Sequence, residues 1–255
     1  MKKSLTLLGL LLLILQSCAS KKDILYFQDA QTMAPQQIQY ENPKIQTNDI
    51  LDIKVSALIP ETALPYNKQN ANNSTLGSSL ELLKLQGYLV STQGTILLPI
   101  LGTLKVKDKT TAQLENQLQE LLEAGGHLVQ PAVSVRLLNA KVTVLGEVNQ
   151  PGTYSFTEQQ ISLPQALGYA GDLTINGERN NIMLIREENG ERSVAHIDLT
   201  KTDWFNSPYY YIKPNDFIVV NPNGPKVKSA GFVGNTGTLI SVASLILTSI
   251  VLITR

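Results

Sequence analysis

The chain has little of what most catalytic or polyanion-binding proteins carry. Among 255 residues there is one cysteine, one tryptophan and two histidines, and Lys+Arg and Asp+Glu stand at 21 each. A single thiol excludes an internal disulfide framework and any cysteine-built metal cluster. Balanced charge leaves no basic footprint for gripping nucleic acid. The two histidines, His127 and His196, fall in no HExxH or His-x-His spacing and read as ordinary surface or packed residues. No Gly-x-Ser-x-Gly elbow, phosphate-binding loop or dinucleotide fingerprint occurs. Asp49 and Asp52 stand three apart in a predicted strand, so they point to opposite faces and form no acid/base pair. Asp172 follows a glycine at a helix end and reads as a turn former. No catalytic residue, metal site or cofactor is therefore expected.

Charged residues make up only 16% of the chain, well under the usual quarter, and the missing charge is concentrated at the two ends. Lys2 and Lys3 precede an apolar run over 5–15, followed by Leu15-Gln16-Ser17-Cys18. Eleven apolar residues are too few to cross a bilayer that needs about 20, so the layout reads as a secretory leader over 1–17. A cysteine at this place resembles the bacterial lipobox, in which the thiol of Cys18 takes a diacylglycerol thioether and becomes the first mature residue. An ordinary signal peptide with an incidental cysteine is the plainer alternative. Removal of Lys2 and Lys3 leaves 19 basic against 21 acidic residues, a charge of −2.

At the other end, no charged side chain occurs over 229–254. The strongest part, Gly237 to Ile253, reads as a transmembrane helix at the lower limit of spanning length. Gly237, Ser241, Ser244 and Thr248 follow helical spacing along one stripe, and aliphatic residues cover the rest. Two readings stay open. The helix is a plain anchor whose small residues pack on a neighbour, or several copies form a ring with the stripe toward neighbours or a water-filled lumen.

The middle is strand-rich. Asp49 to Val55 alternates as a strand, 67–79 is polar and aperiodic and reads as a loop, and Pro99 marks an edge or bulge in a strand run. Thr110 with Gln113 forms a capping box ahead of a helix whose apolar face is Leu114, Leu118, Leu121 and Leu122, ended by Gly125-Gly126. Ala132 to Leu137 returns as a strand. The order then recurs: a strand from Lys141, a Pro151-Gly152 turn, a helix capped by Ser162 and Gln165, a hairpin across Asn189-Gly190, and Phe217 to Val220. Two modules, each of strands around one helix, are expected. Trp204 and Tyr210 are candidate sugar-stacking residues, while Tyr209 and Tyr211 share a predicted strand face and read as core.

Gly87-Tyr88-Leu89-Val90, the run Gly94 to Gly102, the capped helix, Gln130 to Val135 and the preceding Asn48 to Ile53 together resemble the polysaccharide export domain of Wza-like outer-membrane proteins. Val144 to Val148, Pro151 to Tyr154, Leu163 to Leu167, Ala170-Gly171 and Lys213-Pro214-Asn215-Asp216 resemble a soluble-ligand-binding β-grasp (SLBB) domain. The resemblance implies an α+β, strand-rich fold divided into a lipidated segment over 18–44, an export domain over 45–138, an SLBB domain over 139–223, and a linker with a C-terminal transmembrane helix over 224–255. It implies a lipid-anchored outer-membrane protein with its body in the periplasm. This would be a homo-oligomeric ring passing capsular or extracellular polysaccharide through an α-helical pore, facing an inner-membrane co-polymerase or tyrosine kinase. Larger members carry further β-grasp repeats, and one copy is legible here, implying a shorter periplasmic column or a longer partner. The alternatives are a sugar-binding or scaffolding envelope lipoprotein with a simple anchor and, less favoured by the missing site, an envelope enzyme.

Overall fold

The computed structural model describes residues 21–35, 37–38, 42–68, 80–188, 190–230 and 236–254. The leader, Cys18 and most of the polar stretch over 67–79 lie outside the described residues.

The first module is built on β1 (Ile50–Ser56), whose Leu51, Ile53 and Val55 alternate inward, the period a half-buried strand requires. Two short helices follow, α1 (Pro60–Ala63) and α2 (Leu80–Gln86), neither legible as a periodic segment. Next come β2 (Tyr88–Leu89) and a hairpin of β3 (Thr95–Leu98) and β4 (Gly102–Lys105). Pro99 sits in the turn of that hairpin, where Ile100 adopts a φ of 64°; it bends the chain between strands and makes no bulge within one. α3 (Thr111–Ala124) starts on the capping box read from Thr110 and Gln113. Leu114, Leu118 and Leu122 are buried, whereas Leu121 is 40% exposed. The expected apolar face is thus narrower: 114, 118 and 122 repeat every four residues, and Leu121 falls at its margin. β5 (Ala132–Leu137) pairs antiparallel with β1 from Leu51↔Leu137 to Ser56↔Ala132, giving the order β2-β1-β5.

The second module has its own core of nineteen buried residues, including Val142, Val144, Leu163, Ile182, Leu184 and Ile218. Its main sheet runs β10-β9-β12-β6-β7. β6 (Lys141–Gly146) and β7 (Gly152–Ser155) form a hairpin, and β8 (Ile161–Ser162) leads into α4 (Leu163–Tyr169) through the Ser162–Gln165 capping box. β9 (Gly177–Glu188) and β10 (Glu191–Ile197) form the expected long hairpin, with Gly190 at a φ of 82°. β11 (Tyr211–Ile212) pairs with β8, and β12 (Phe217–Pro222) lies parallel to β6 and antiparallel to β9. The expected strand over Tyr209 to Ile212 is shorter than read, because Tyr209 and Tyr210 belong to the turn that precedes it.

After β12 come α5 (Gly224–Ala230) and α6 (Thr236–Thr254). The helix expected at the C-terminus is present as nineteen continuous residues. Among the described residues, however, no helix is long and apolar enough to cross a membrane. Along it, Ser241, Ser244, Thr248 and Ser249 place a hydroxyl on almost every turn. Ser241 Oγ donates to Gly237 O, Thr248 Oγ1 to Ser244 O and Ser249 Oγ to Leu245 O, each at 2.8 Å. These three hydroxyls therefore satisfy themselves within the helix.

The segment ahead of the first module crosses to the second. Phe27 N donates to Leu199 O at 3.1 Å and Gln28 N to Thr200 O at 2.8 Å, and the Phe27 ring packs on Trp204 and Phe205. Tyr26 donates its hydroxyl to Asp172 Oδ1 at 2.6 Å and lies under the Arg179 guanidinium. Burial, then the Asp172 carboxylate, pushes the Tyr26 hydroxyl well above the ordinary phenol range.

Candidate functional site

The candidate site grows out of the turn between β10 and β11. A one-turn 3-10 helix over Asp203–Asn206 buries Trp204 against the second module's core. Its indole is 6% exposed, donates Nε1–H to Lys201 O at 2.9 Å, and is hemmed in by Phe27, Phe205 and Tyr210. The expectation that Trp204 offers a ring face to sugar is therefore corrected: both the ring and its one polar atom are used in packing. Tyr210 is placed differently. It packs one side on Trp204 and Phe205 and lines a cleft of about 820 Å³ together with Phe205, Tyr211, Asn206 and, from the N-terminal segment, Met33 and Gln37. Aromatic rings beside amide groups, with no charged side chain among the described residues of the wall, suit the apolar face and the hydroxyls of a sugar ring.

That aromatic turn is held from below. Arg186 on β9 forks onto Asp216, with Nε to Oδ1 at 3.0 Å and Nη2 to Oδ2 at 2.7 Å. It also donates to Pro208 O at 2.8 Å and Tyr211 O at 2.9 Å, and its guanidinium faces the Tyr209 ring. Burial pushes the Asp216 carboxyl above its ordinary range, against the pull of Arg186 and of the Lys213 amide, which donates to Oδ2 at 2.9 Å. Tyr209 packs against the second module's core, as expected, with its ring also facing the guanidinium. Tyr211 is half-buried and lines the cleft instead, and Arg186 with Asp216 forms a clasp beneath the turn that carries both.

A second site was not legible as such. Asp49 precedes β1, is 3% exposed, and accepts the Gln46 N–H through Oδ2 at 2.8 Å. Burial raises its pKa to about 6, partly offset by that amide. Asp52 lies within β1 and meets Lys54 at 3.2 Å. The folded state binds the Asp49 proton more tightly than the unfolded chain does, so its ionisation opposes folding. The penalty is absent below about pH 4, grows as pH rises to about 6, and is complete above that. Asp49→Asn keeps an oxygen for the Gln46 amide. It is expected to raise stability at pH 7 by up to about 3 kcal/mol and to flatten the stability profile between pH 4 and 6. Denaturant midpoints across that range check this; an unchanged midpoint at pH 7 would count against the assignment.

Neither histidine joins a site: His127 Nδ1 contacts the Tyr66 hydroxyl at 3.2 Å and His196 Nδ1 the Asn181 amide oxygen at 2.7 Å. Among the described residues no group of His, Cys, Asp or Glu could hold a metal ion. The stripe of Gly237, Ser241, Ser244 and Thr248 is brought together on α6, while Cys18 lies outside the described residues.

Comparison with known proteins places names beside these two modules. Residues 37–138 match the family model for polysaccharide biosynthesis/export proteins, and residues 141–197 match the SLBB domain. The EPS I polysaccharide export outer membrane protein EpsA of Ralstonia nicotianae is 34% identical over 155 residues, covering 56% of this chain and 38% of that protein. The capsule polysaccharide export outer membrane protein CtrA of Neisseria meningitidis is 28% identical over 192 residues, covering 74% of this chain and 46% of that protein. The chain spans less than half the length of either relative.

Proposed function

From a chain that belongs to the polysaccharide export family by its export domain and its SLBB domain, in that order, we propose an outer-membrane translocon component for capsular or extracellular polysaccharide. The order of the two domains carries the reading. The geometry of the chain's exits supports it: the N-terminal segment docks on the SLBB domain through Tyr26 and Phe27, and the terminal helices leave that same domain from β12. Lipid on Cys18 and the C-terminal helix then hold the SLBB domain against the outer membrane, with the export domain reaching into the periplasm toward an inner-membrane co-polymerase. Copies of the chain form a ring. At about 1.5 Å per residue α6 extends about 28 Å, short for a lone span, and its hydroxyl stripe is better accommodated between helices than in lipid. The conduit is passive, and the cleft at Tyr210 offers weak stacking to the passing polymer, because tight sites would retain it.

One observation favours the simpler alternative, a sugar-binding or scaffolding lipoprotein with a plain anchor: the stripe hydroxyls of Ser241 and Thr248 already bond their own backbone. Ser244→Leu separates the two. It is expected to break the ring seen by electron microscopy of the detergent-solubilised protein and to reduce surface polysaccharide severalfold. A strictly monomeric wild-type particle would sink the ring, and undiminished export in the variant would leave the helix an anchor.

A further inference from the structure

Between the two domains lies a second cavity, of about 260 Å³, whose walls come from both. On the export side stand Asp49, Lys44 and Arg136, and on the SLBB side Phe156, Gln159 and Pro214. The volume equals the liquid volume of roughly nine waters, room for one sugar ring and too little for a folded stretch of polymer. Asp49 is almost wholly buried yet spends only one carboxylate oxygen on the Gln46 amide. The other oxygen is not among the described buried polar atoms that lack a partner, which fits a group with residual access to the cavity.

We infer that this interdomain cavity is a binding site for a single hexose-sized sugar unit, with Asp49 accepting its hydroxyls. The inference rests on the export reading for its choice of ligand and concerns a site separate from the Tyr210 cleft. The chemistry is that of sugar recognition: a carboxylate takes hydroxyl donors in charge-assisted bonds, Gln159 adds an amide, and Phe156 with Pro214 offers an apolar surface to the C–H face of the ring. Lys44 and Arg136, both exposed at the rim, accommodate an acidic sugar as readily as a neutral one. Glu158, the other carboxylate at the rim, already accepts the Thr157 amide at 2.9 Å and points its charge to solvent. A carboxylate kept at this depth opposes folding, which is tolerated at sites that use the group. Because the walls belong to both domains, an occupied cavity ties one to the other.

The full chain in detergent is titrated by calorimetry with free glucose, galactose, N-acetylglucosamine and glucuronate. At least one is expected to bind saturably at one site per chain. Asp49→Asn should weaken it about tenfold, the loss of one charge-assisted hydrogen bond. Gln159→Trp, an exposed rim residue turned into a plug, should abolish binding, and Val194→Ala, at an exposed position on β10 outside both cavities, should leave it intact. The absence of saturable binding by any of the four sugars overturns the site, as does wild-type affinity in both cavity variants. The two readings fail separately: deleting the chain without loss of surface polysaccharide removes the export reading, whereas lost polysaccharide with no sugar bound removes only the cavity.

Discussion

Gly146→Ala is expected to destabilise the SLBB domain by about 3–5 kcal/mol, as an inadmissible backbone conformation and an overpacked contact are imposed together. Gly146 ends β6 at a φ of 90°, where an L side chain is strained, and a Cβ added there would stand 2.0 Å from Val220 O. That oxygen cannot retreat. It accepts the Glu147 amide at 2.9 Å, and Val220 is fully buried on β12, the strand that pairs with both β6 and β9. Relief therefore requires moving the centre of the five-stranded sheet. Against a total stability of about 5–15 kcal/mol, the loss should leave the protein poorly accumulated. Chemical denaturation of the variant is the direct measurement, and a midpoint equal to the wild type would show that the strand yields more easily than its pairing implies. Gly102→Ala is the informative comparison, since its φ of 73° is also left-handed but nothing lies within 4 Å of the added carbon; only the smaller, conformational part of the cost is expected there.

What was legible in the sequence was local. Thr110 with Gln113 and Ser162 with Gln165 are three residues apart, and Gly190 marks a hairpin whose arms are neighbours in the chain, so spacing alone exposes them. The two domains were legible for the same reason, as ordered short motifs, each carrying its own turn chemistry. The N-terminal clamp was not: Tyr26 meets Asp172 at a separation of 146 residues, and no periodicity connects them. The short apolar run Ile24-Leu25-Tyr26-Phe27 in the lead-in is its trace in the sequence. Trp204 was misread because an isolated aromatic in a turn carries no record of which neighbours enclose it, and only the fold shows that three other rings, Phe27, Phe205 and Tyr210, do. Asp49 escaped because strand alternation speaks to the face of a residue and is silent about a cavity closed by a second domain. The apolar tail is legible from composition, which weighs aliphatic length and does not show that Ser241, Thr248 and Ser249 donate to the helix's own carbonyls.

Arg186→Ala should cost about 3–5 kcal/mol, the loss that follows when one partner of a buried pair is removed and the other charge is left behind. The guanidinium serves more than Asp216, because Pro208 O and Tyr211 O also take its protons, and truncation leaves those carbonyls without their donor. Arg186→Met with Asp216→Leu removes both charges and keeps apolar volume, so it should recover part of the loss. It should not recover all of it, since the two carbonyls and the Lys213 amide remain unpaired. The gap between the double variant and the wild type thus measures the clasp's hold on the turn over 208–216, separately from the ion pair. That turn carries Tyr210 and Tyr211 to the wall of the aromatic cleft, so a loosened clasp disorders the cleft before it unfolds the sheet. Hydrogen exchange should show amides of 207–212 opening in the double variant while those of β9 and β12 stay protected. A single Arg186→Ala variant within about 1 kcal/mol of the wild type would show that water takes over these bonds and that the turn stands without its clasp.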